Sequence, residues 1–369
     1  MKSIMLKVTH ITTVHPRKDI RIFHKECLSL ARAGYSVNLI VNDGKGAELS
    51  HGVNIVDLGG TEGRLTRMFV GAPKALFKSL QMKSDVYHFH DPELMIVGFI
   101  LSILGRRVIY DVHEDLPNNI LNKNWLKKSI RPTIARAISC VEKICARRFS
   151  GCVVTTPHIN DRFLGYGARS IVIKNYPGRP EKSIEIADRS YDTFKLCYAG
   201  LISEDRGIRQ MVSIACKSET RLNLMGRFQD PNLLAELEEK ADWEWVDYKG
   251  ILTKAEVESC YLNSHVGLAI LHPDINYINS LPIKMFEYMM FGLPVICSNF
   301  PNWEEIVESA NSGVCVDPLD ENEIVKTVQK LKSDIARVNE MSVSGRQAVA
   351  EQYNWEQQFL MLDEFYQSI

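Results

Sequence analysis

The chain has 369 residues, 45% hydrophobic and 24% charged, with a formal net charge of -1 at pH 7. That length leaves room for two domains, and the composition is that of an ordinary soluble protein. The charge points to no nucleic-acid partner, no apolar run approaches a transmembrane helix, and Met1–Val8 is too short and too charged at Lys7 for a leader.

Short β-branched runs alternate with longer helical patterns along the chain, which predicts βαβ units and parallel sheets. Candidate strands are Ile4–Val8, Val37–Val41, Val53–Val56, Val86–Phe89, Val108–Val112, Val153–Thr155 and Ile171–Ile173, with amphipathic stretches such as Ile22–Arg32 and Pro92–Ile103 between them. Near Asn175-Tyr-Pro-Gly-Arg-Pro-Glu-Lys the pattern breaks, and a polar tail to Thr193 reads as a linker. Alternation restarts with Lys195–Tyr198, Arg221–Met225, Glu244–Val246, Val266–Ile270, Pro294–Cys297 and Val314–Val316. The reading is an α/β chain of two doubly wound, Rossmann-like domains, 1–177 and 178–354, facing a central cleft, with ligands outside the strands' carboxyl ends. Helical patterns from Glu321 to Ile369 are interrupted at Tyr353-Asn-Trp355. The nine cysteines include no Cys-x-x-Cys pair and read as reduced core residues of a cytoplasmic protein.

The most informative stretch is Leu281-Pro-Ile-Lys-Met-Phe-Glu-Tyr-Met-Met-Phe-Gly-Leu-Pro-Val-Ile-Cys-Ser298, read as a loop, a short helix, a turn at Gly292 and a buried strand. Lys284 and Glu287 are three apart and share a helix face. Pro282 suits the helix start, whose free N–H groups and dipole suit a phosphate. A lysine there adds a mobile cation, and a carboxylate one turn on can accept hydrogen bonds from two ribose hydroxyls. Gly200-Leu-Ile-Ser-Glu-Asp-Arg-Gly207 is a strand–loop–helix joint whose glycines let amides approach an anion, with Arg206 adding a bidentate fork. In the first half, His88-Phe-His-Asp-Pro-Glu93 and Tyr110-Asp-Val-His-Glu-Asp115 both end strands. His88, His90, Asp91, His113 and Glu114 could cluster around a metal, but no complete ligand spacing and no Asp-x-Asp is present, so no metal is assigned. The stretch 121–150 is strongly basic and carries Trp125, which suits either an anionic membrane surface or a plain solvated helix face.

Pro-x-Lys-x-x-Glu-Tyr-Met-x-x-Gly-x-Pro-Val-Ile resembles the C-terminal signature of the retaining GT-B glycosyltransferases of family 4, the group 1 glycosyl transferases. The resemblance implies a GT-B fold, a nucleoside-diphosphate-sugar donor, retention at the anomeric carbon and no required metal or other cofactor. It implies that Glu287 holds the donor ribose, while Arg206, Lys284 and amides around Ser280 and Leu281 hold the diphosphate, with Pro282 in the same donor loop. Gly200, Gly207 and Gly226 belong to the same loops. The family's first phosphate arginine is Leu201 here, so Arg206 and Lys284 act alone or Arg227 swings in. The first of two family glutamates is Asn279, which leaves sugar selectivity open. Tyr248 or Ile251 would border the base, or form a simple turn.

In the N-terminal half the family's Asp-x-His-Glu places His113 beside the reacting sugar, where it could steady an oxocarbenium-like transition state. The loop His10–His24 lacks the family's common glycine-rich turn. Its Asp19-x-Arg21 resembles the polysaccharide-assembly branch, and Arg17, Lys18, Asp19, Arg21, His90 and Glu114 become candidate acceptor contacts. A structural Asp19–Arg21 loop is an equal reading. The resemblance also sends a last helix, about 355–369, back onto the first domain; a plain helix–helix turn competes. The expected partners are a nucleotide sugar and a glycan or lipid-linked acceptor, with peripheral contact at the inner membrane face through 121–150. The rivals are a GT-B sugar-nucleotide epimerase and a catalytically degenerate binder; a dehydrogenase is disfavoured because no Gly-x-Gly-x-x-Gly follows the first strand.

Overall fold

A computed structural model describes residues 6–121, 126–179 and 191–369. Ile4 and Met5 of the expected first strand, Lys123 and Trp125 of the basic stretch, and linker residues 180–190 lie outside the described residues. The chain divides into two compact units, Met1–Asn175 with Trp355–Ile369, and Tyr176–Asn354.

The first unit is built on β1 (Lys7–Ile11), β2 (Ser36–Val41), β3 (Glu48–Ser50), β4 (Val53–Asp57), β5 (Val86–Phe89), β6 (Arg107–Val112), β7 (Gly151–Val154) and β8 (Ser170–Val172). Their order across the sheet is β3-β4-β2-β1-β5-β6-β7-β8, parallel except for the β3–β4 edge pair. Successive strand residues point to opposite faces, and the strand cores sort accordingly. Tyr87, Phe89, Val108, Tyr110 and Val112 pack with helices α1 (Ala72–Met82), α2 (Met95–Ile103) and α3 (Arg131–Ala146). Val8, Val86 and Ile109 face the other way. They lie under a helical stretch Ile20–Arg32 and a terminal helix that follows Asn354.

The expected helix Ile22–Arg32 begins earlier, as a π-helical segment Ile20–Cys27 that runs into Leu28–Arg32, because Asp19 caps its start by accepting from the Arg21 and Ile22 amides. The terminal helix is Trp355–Gln367. Trp355 Nε1 donates to Ser29 Oγ at 2.9 Å, and Leu362, Phe365 and Tyr366 are buried in the first unit's core.

The second unit carries β9 (Lys195–Ala199), β10 (Arg221–Met225), β11 (Val246–Tyr248), β12 (Val266–Ala269), β13 (Val295–Ser298) and β14 (Gly313–Val316), all parallel, in the order β11-β10-β9-β12-β13-β14. This is the doubly wound order whose switch point falls between β9 and β12, and ligands sit outside the strand ends there. The strand expected at Glu244–Val246 lies two residues later, because Ala241–Trp245 is a 3-10 turn whose Trp243 and Trp245 pack against the core. The nine cysteines are free thiols. Among the described residues no helix is long and apolar enough to cross a membrane.

Candidate functional site

In the second unit the chain leaves β9 through Gly200 and re-enters helix α4 (Ile208–Lys217) after Gly207. Gly207 is left-handed (φ 76°), and a Cβ there would stand 2.2 Å from the Ile270 carbonyl oxygen. Gly226, at the end of β10, is tighter still: a Cβ would lie 1.8 Å from the Gly200 oxygen. These joints therefore require glycine. They leave a hollow of about 330 Å³ lined by Gly200, Leu201, Gly226, Arg227, Ile251 and Leu252. A second hollow of about 350 Å³, at Lys217, Glu219 and Lys332, lies at the far end of α4 from these loops. We place the candidate site in the first, because it lies at the strand ends.

Helix α5 (Ile283–Met290) brings Lys284 behind Gly200, one of the residues that line the hollow. A Cβ at Gly200 would stand 3.2 Å from Lys284 Nζ. The lysine is not mobile as the sequence suggested. It is buried, its Nζ lies 3.6 Å from the centre of the Tyr198 ring, and it has no hydrogen-bond partner among the described residues. Burial, and then the charge of Arg206, push its pKa well below the ordinary lysine value. Arg206 is half-buried against Tyr198 and Tyr277, and Asp205 receives the Tyr277 hydroxyl. Glu287 accepts from the buried Tyr261 hydroxyl at 3.2 Å, which orients its carboxylate.

Several loop expectations change. The Ser280 amide is already bonded to the Tyr277 carbonyl at 3.1 Å and the Met285 amide to the Pro282 carbonyl; the Leu281, Ile283 and Lys284 amides have no backbone acceptor among the described residues. Asn279 turns its amide back to the Ile275 carbonyl. Arg227 is exposed, Tyr248 donates its hydroxyl to the Gly226 oxygen at 3.1 Å, and Ile251 is exposed at the hollow's edge.

In the first unit, β1, β5 and β6 align His10 beside His88, while Asp111 projects onto the same face from the neighbouring strand. The result is a polar island inside an otherwise apolar layer. Arg21 forms a two-pronged pair with Asp111, at 3.0 Å on each oxygen, and lies 3.2 Å from Glu26. Asp111 Oδ2 also meets His90 Nδ1 at 3.0 Å and His113 Nε2 at 2.9 Å. His90 Nε2 reaches His10 Nδ1 at 2.9 Å, and Tyr366 reaches His88 Nδ1 at 2.5 Å. Burial alone would raise the pKa of Asp111, but Arg21 and His113 hold it well below the carboxylate range. Burial and the charge of Asp111 push Glu26 well above it.

This arrangement corrects the expected acceptor contacts. Arg21 and His90 are buried, Arg21 bonded to Asp111 and the Ile173 carbonyl and His90 to Asp111 and His10, which leaves neither open to an acceptor. Asp19 caps its helix and pairs with His15. Arg17 and Lys18 are tied to Asp43 and Glu48. Glu114 accepts from Asn119 at 2.7 Å. His113 is the member that keeps partial exposure, with the unanticipated His15 ring 5.1 Å away.

Among the described residues two groups could hold a metal, His10–Glu26–His88–His90 and His90–Asp111–His113, each with ligand atoms within 4.8 Å of one another. In the first, Arg21 already faces the Glu26 carboxylate, and in both a second positive centre would have to share the Arg21 charge's buried surroundings.

Two parallel, doubly wound units in one chain define the GT-B architecture. The structure is similar to that of a sucrose-phosphate synthase from Thermosynechococcus elongatus, at 17% identity and a TM-score of 0.75, covering 98% of both chains. It is similar to Anabaena HepE solved with UDP and glucose, at 13% identity and a TM-score of 0.71, covering 99% of this chain and 100% of that one. It also resembles the catalytic domain of Arabidopsis thaliana starch synthase IV bound to ADP and acarbose, at 11% identity and a TM-score of 0.71, covering 99% of each. A search of curated proteins gives no match. Residues 196–334 match the model of the glycosyl transferases group 1, and residues 21–175 match that of the glycosyl transferase 4-like domain. The chain belongs to the group 1 glycosyl transferase family and is a glycosyltransferase.

Proposed function

We propose that this enzyme is a retaining, metal-independent hexosyltransferase that moves a sugar from a nucleoside-diphosphate sugar to a hydroxyl of a glycan or lipid-linked acceptor in surface-polysaccharide assembly. The second unit binds the donor and the first binds the acceptor. The observation that carries the reading is Lys284: a buried amine without a hydrogen-bond partner among the described residues, packed behind Gly200 of the hollow at the strand ends. A diphosphate beside Gly200 would give that amine its missing acceptor, with Arg206 and the free amides of α5 sharing the charge. Glu287, held by Tyr261, would take the ribose hydroxyls.

In the transfer step the bond between the anomeric carbon and the diphosphate oxygen breaks, and the acceptor oxygen bonds the same face. The acceptor proton passes to the departing phosphate oxygen. The protein's contribution is electrostatic: Lys284 and Arg206 stabilise the leaving diphosphate, and His113, oriented by Asp111, steadies the sugar. The setting is the inner membrane face, approached through the basic stretch 121–150.

The test is a thermal shift with UDP, GDP, ADP and CDP, each in EDTA and in magnesium. Selective stabilisation by one diphosphate in EDTA is expected, since a ligand of the folded state raises Tm. No shift, or one that needs the metal, counts against the reading.

A further inference from the structure

We propose that the outer layer of the first unit, formed by α1, α2 and α3, docks on an anionic lipid bilayer, with Leu65, Phe69 and Phe77 entering the acyl region and the surrounding lysines and arginines meeting lipid phosphates. This deepens the membrane element of the reading above and rests on it: the apolar anchor Leu65, Phe69 and Phe77 lies outside 121–150, and α3 of that stretch joins the same surface through α2. The chain from Arg64 to Met82 is helical throughout, through Arg64–Thr66, a π-helical turn Arg67–Gly71, and α1. Leu76, Leu80 and Met82 pack partly buried against the core, yet large apolar side chains stand on the outer side as well. The buried side carries Gly71, Ala72, Ala75 and Ser79, whereas Leu65, Phe69 and Phe77, spaced at multiples of four, are 70%, 73% and 66% exposed. Bulky apolar side chains turned outward on the same stripe mark a surface made for another apolar phase.

The apolar exposure continues onto the adjacent helices. α1 packs beside α2 and α2 beside α3, and Ile96, Ile103 and Ile144 are exposed on them. Charge selects the occupant. Residues 63–83 hold five Lys or Arg and no Asp or Glu, and residues 95–107 hold two and none. Residues 126–148 hold seven and one acid, Glu142, which is buried against Arg162. A chain with a net charge of -1 thus gathers one sign of charge around one apolar stripe. Apolar residues amid cationic ones are what an interfacial membrane contact requires, and anionic headgroups are the complement.

The experiment is co-sedimentation of the full chain with phosphatidylcholine vesicles and with vesicles holding 30% phosphatidylglycerol by design (about a third anionic, enough for a strong surface potential). It contains no sugar nucleotide, so its outcome is separate from that of the donor test. The expected result is at least about a tenfold preference for the anionic vesicles, weakened but not abolished by salt. The double variant Phe69→Asp, Phe77→Asp should lose at least about tenfold in vesicle binding, with Tm and diphosphate affinity unchanged because both side chains are exposed. Phe69→Trp gives an independent readout: its emission should shift to the blue on vesicles and be quenched by brominated acyl chains. No binding to anionic vesicles, binding indifferent to the double variant, Trp emission that stays water-like, or equal binding to soluble heparin by both proteins would each overturn the proposal.

Discussion

Replacing Lys284 with methionine separates a donor cation from a core lysine, because the two roles move stability and affinity in opposite directions. Methionine keeps the length and the apolar stem but removes the amine. A buried donor left unsatisfied costs about 1–3 kcal/mol, and the contact with the Tyr198 ring returns about 0.5–2 kcal/mol of that. Lys284 Nζ is such a donor, 3.6 Å from that ring and without a hydrogen-bond partner among the described residues. The variant should therefore melt at or slightly above the wild type. Its affinity for the cognate nucleoside diphosphate should fall by the loss of one charge-assisted hydrogen bond, about 1.5–3 kcal/mol, or about 10- to 140-fold in Kd.

A pH signature accompanies this. The folded pKa of Lys284 lies well below the free-lysine value of 10.5, so between the two the unfolded chain binds the extra proton. Stability without ligand should rise with pH across that window and the rise should be smaller in the variant. Diphosphate binding favours the charged amine, so within that same pH window it should take up a proton, seen in titration calorimetry as a dependence of the binding heat on buffer ionisation. A destabilised Lys284→Met that binds the diphosphate as the wild type does would refute the reasoning.

Glu287→Ala removes the proposed ribose acceptor and should raise the diphosphate Kd by about 10- to 100-fold, measured by calorimetry; an unchanged Kd removes it from the site. His113→Ala should lower kcat by about 100-fold, as expected for one preorganised group at a developing charge, with donor Kd within about a factor of two; wild-type kinetics would exclude it. Asp111→Asn leaves the buried Arg21 facing a neutral partner and should lower the unfolding free energy by about 3–5 kcal/mol, read from denaturant midpoints; an unmoved midpoint would mean that Glu26 alone balances Arg21.

The doubly wound architecture was legible because parallel strands buried on both faces leave continuous β-branched runs such as Val37–Val41 and Val266–Ile270. Glu48–Ser50 escaped notice because a three-residue edge strand leaves too little periodicity to detect. Tryptophans in the Ala241–Trp245 turn mimic strand hydrophobicity and shifted the next strand. The Lys284–Glu287 spacing was readable because both lie on one short helix, but the burial of Lys284 was not, since Tyr198 and Arg206 reach it only through the sheet.

The polar island was the largest omission. In the sequence Arg21 reads as a candidate acceptor contact and Glu26 draws no notice, and only the lateral pairing of β1, β5 and β6 shows that they face His10, His88, His90 and Asp111 in the interior. Asp111, two residues before His113, carried the one available signal: alternate strand residues share a face. Phe69 and Phe77 were likewise unreadable as exposed, because an apolar stripe is ordinarily the buried one.

The central claim, retaining transfer from a nucleoside-diphosphate sugar without metal, is tested most directly by proton NMR of the anomeric signal. The purified enzyme would be incubated in EDTA with a panel of sugar nucleotides and a lipid-linked glycan extract. The account predicts that one donor is consumed, its nucleoside diphosphate appears, and the new glycoside keeps the donor's anomeric configuration. An inverted anomeric signal, an epimerised sugar released without acceptor, or consumption only after magnesium is restored would contradict it.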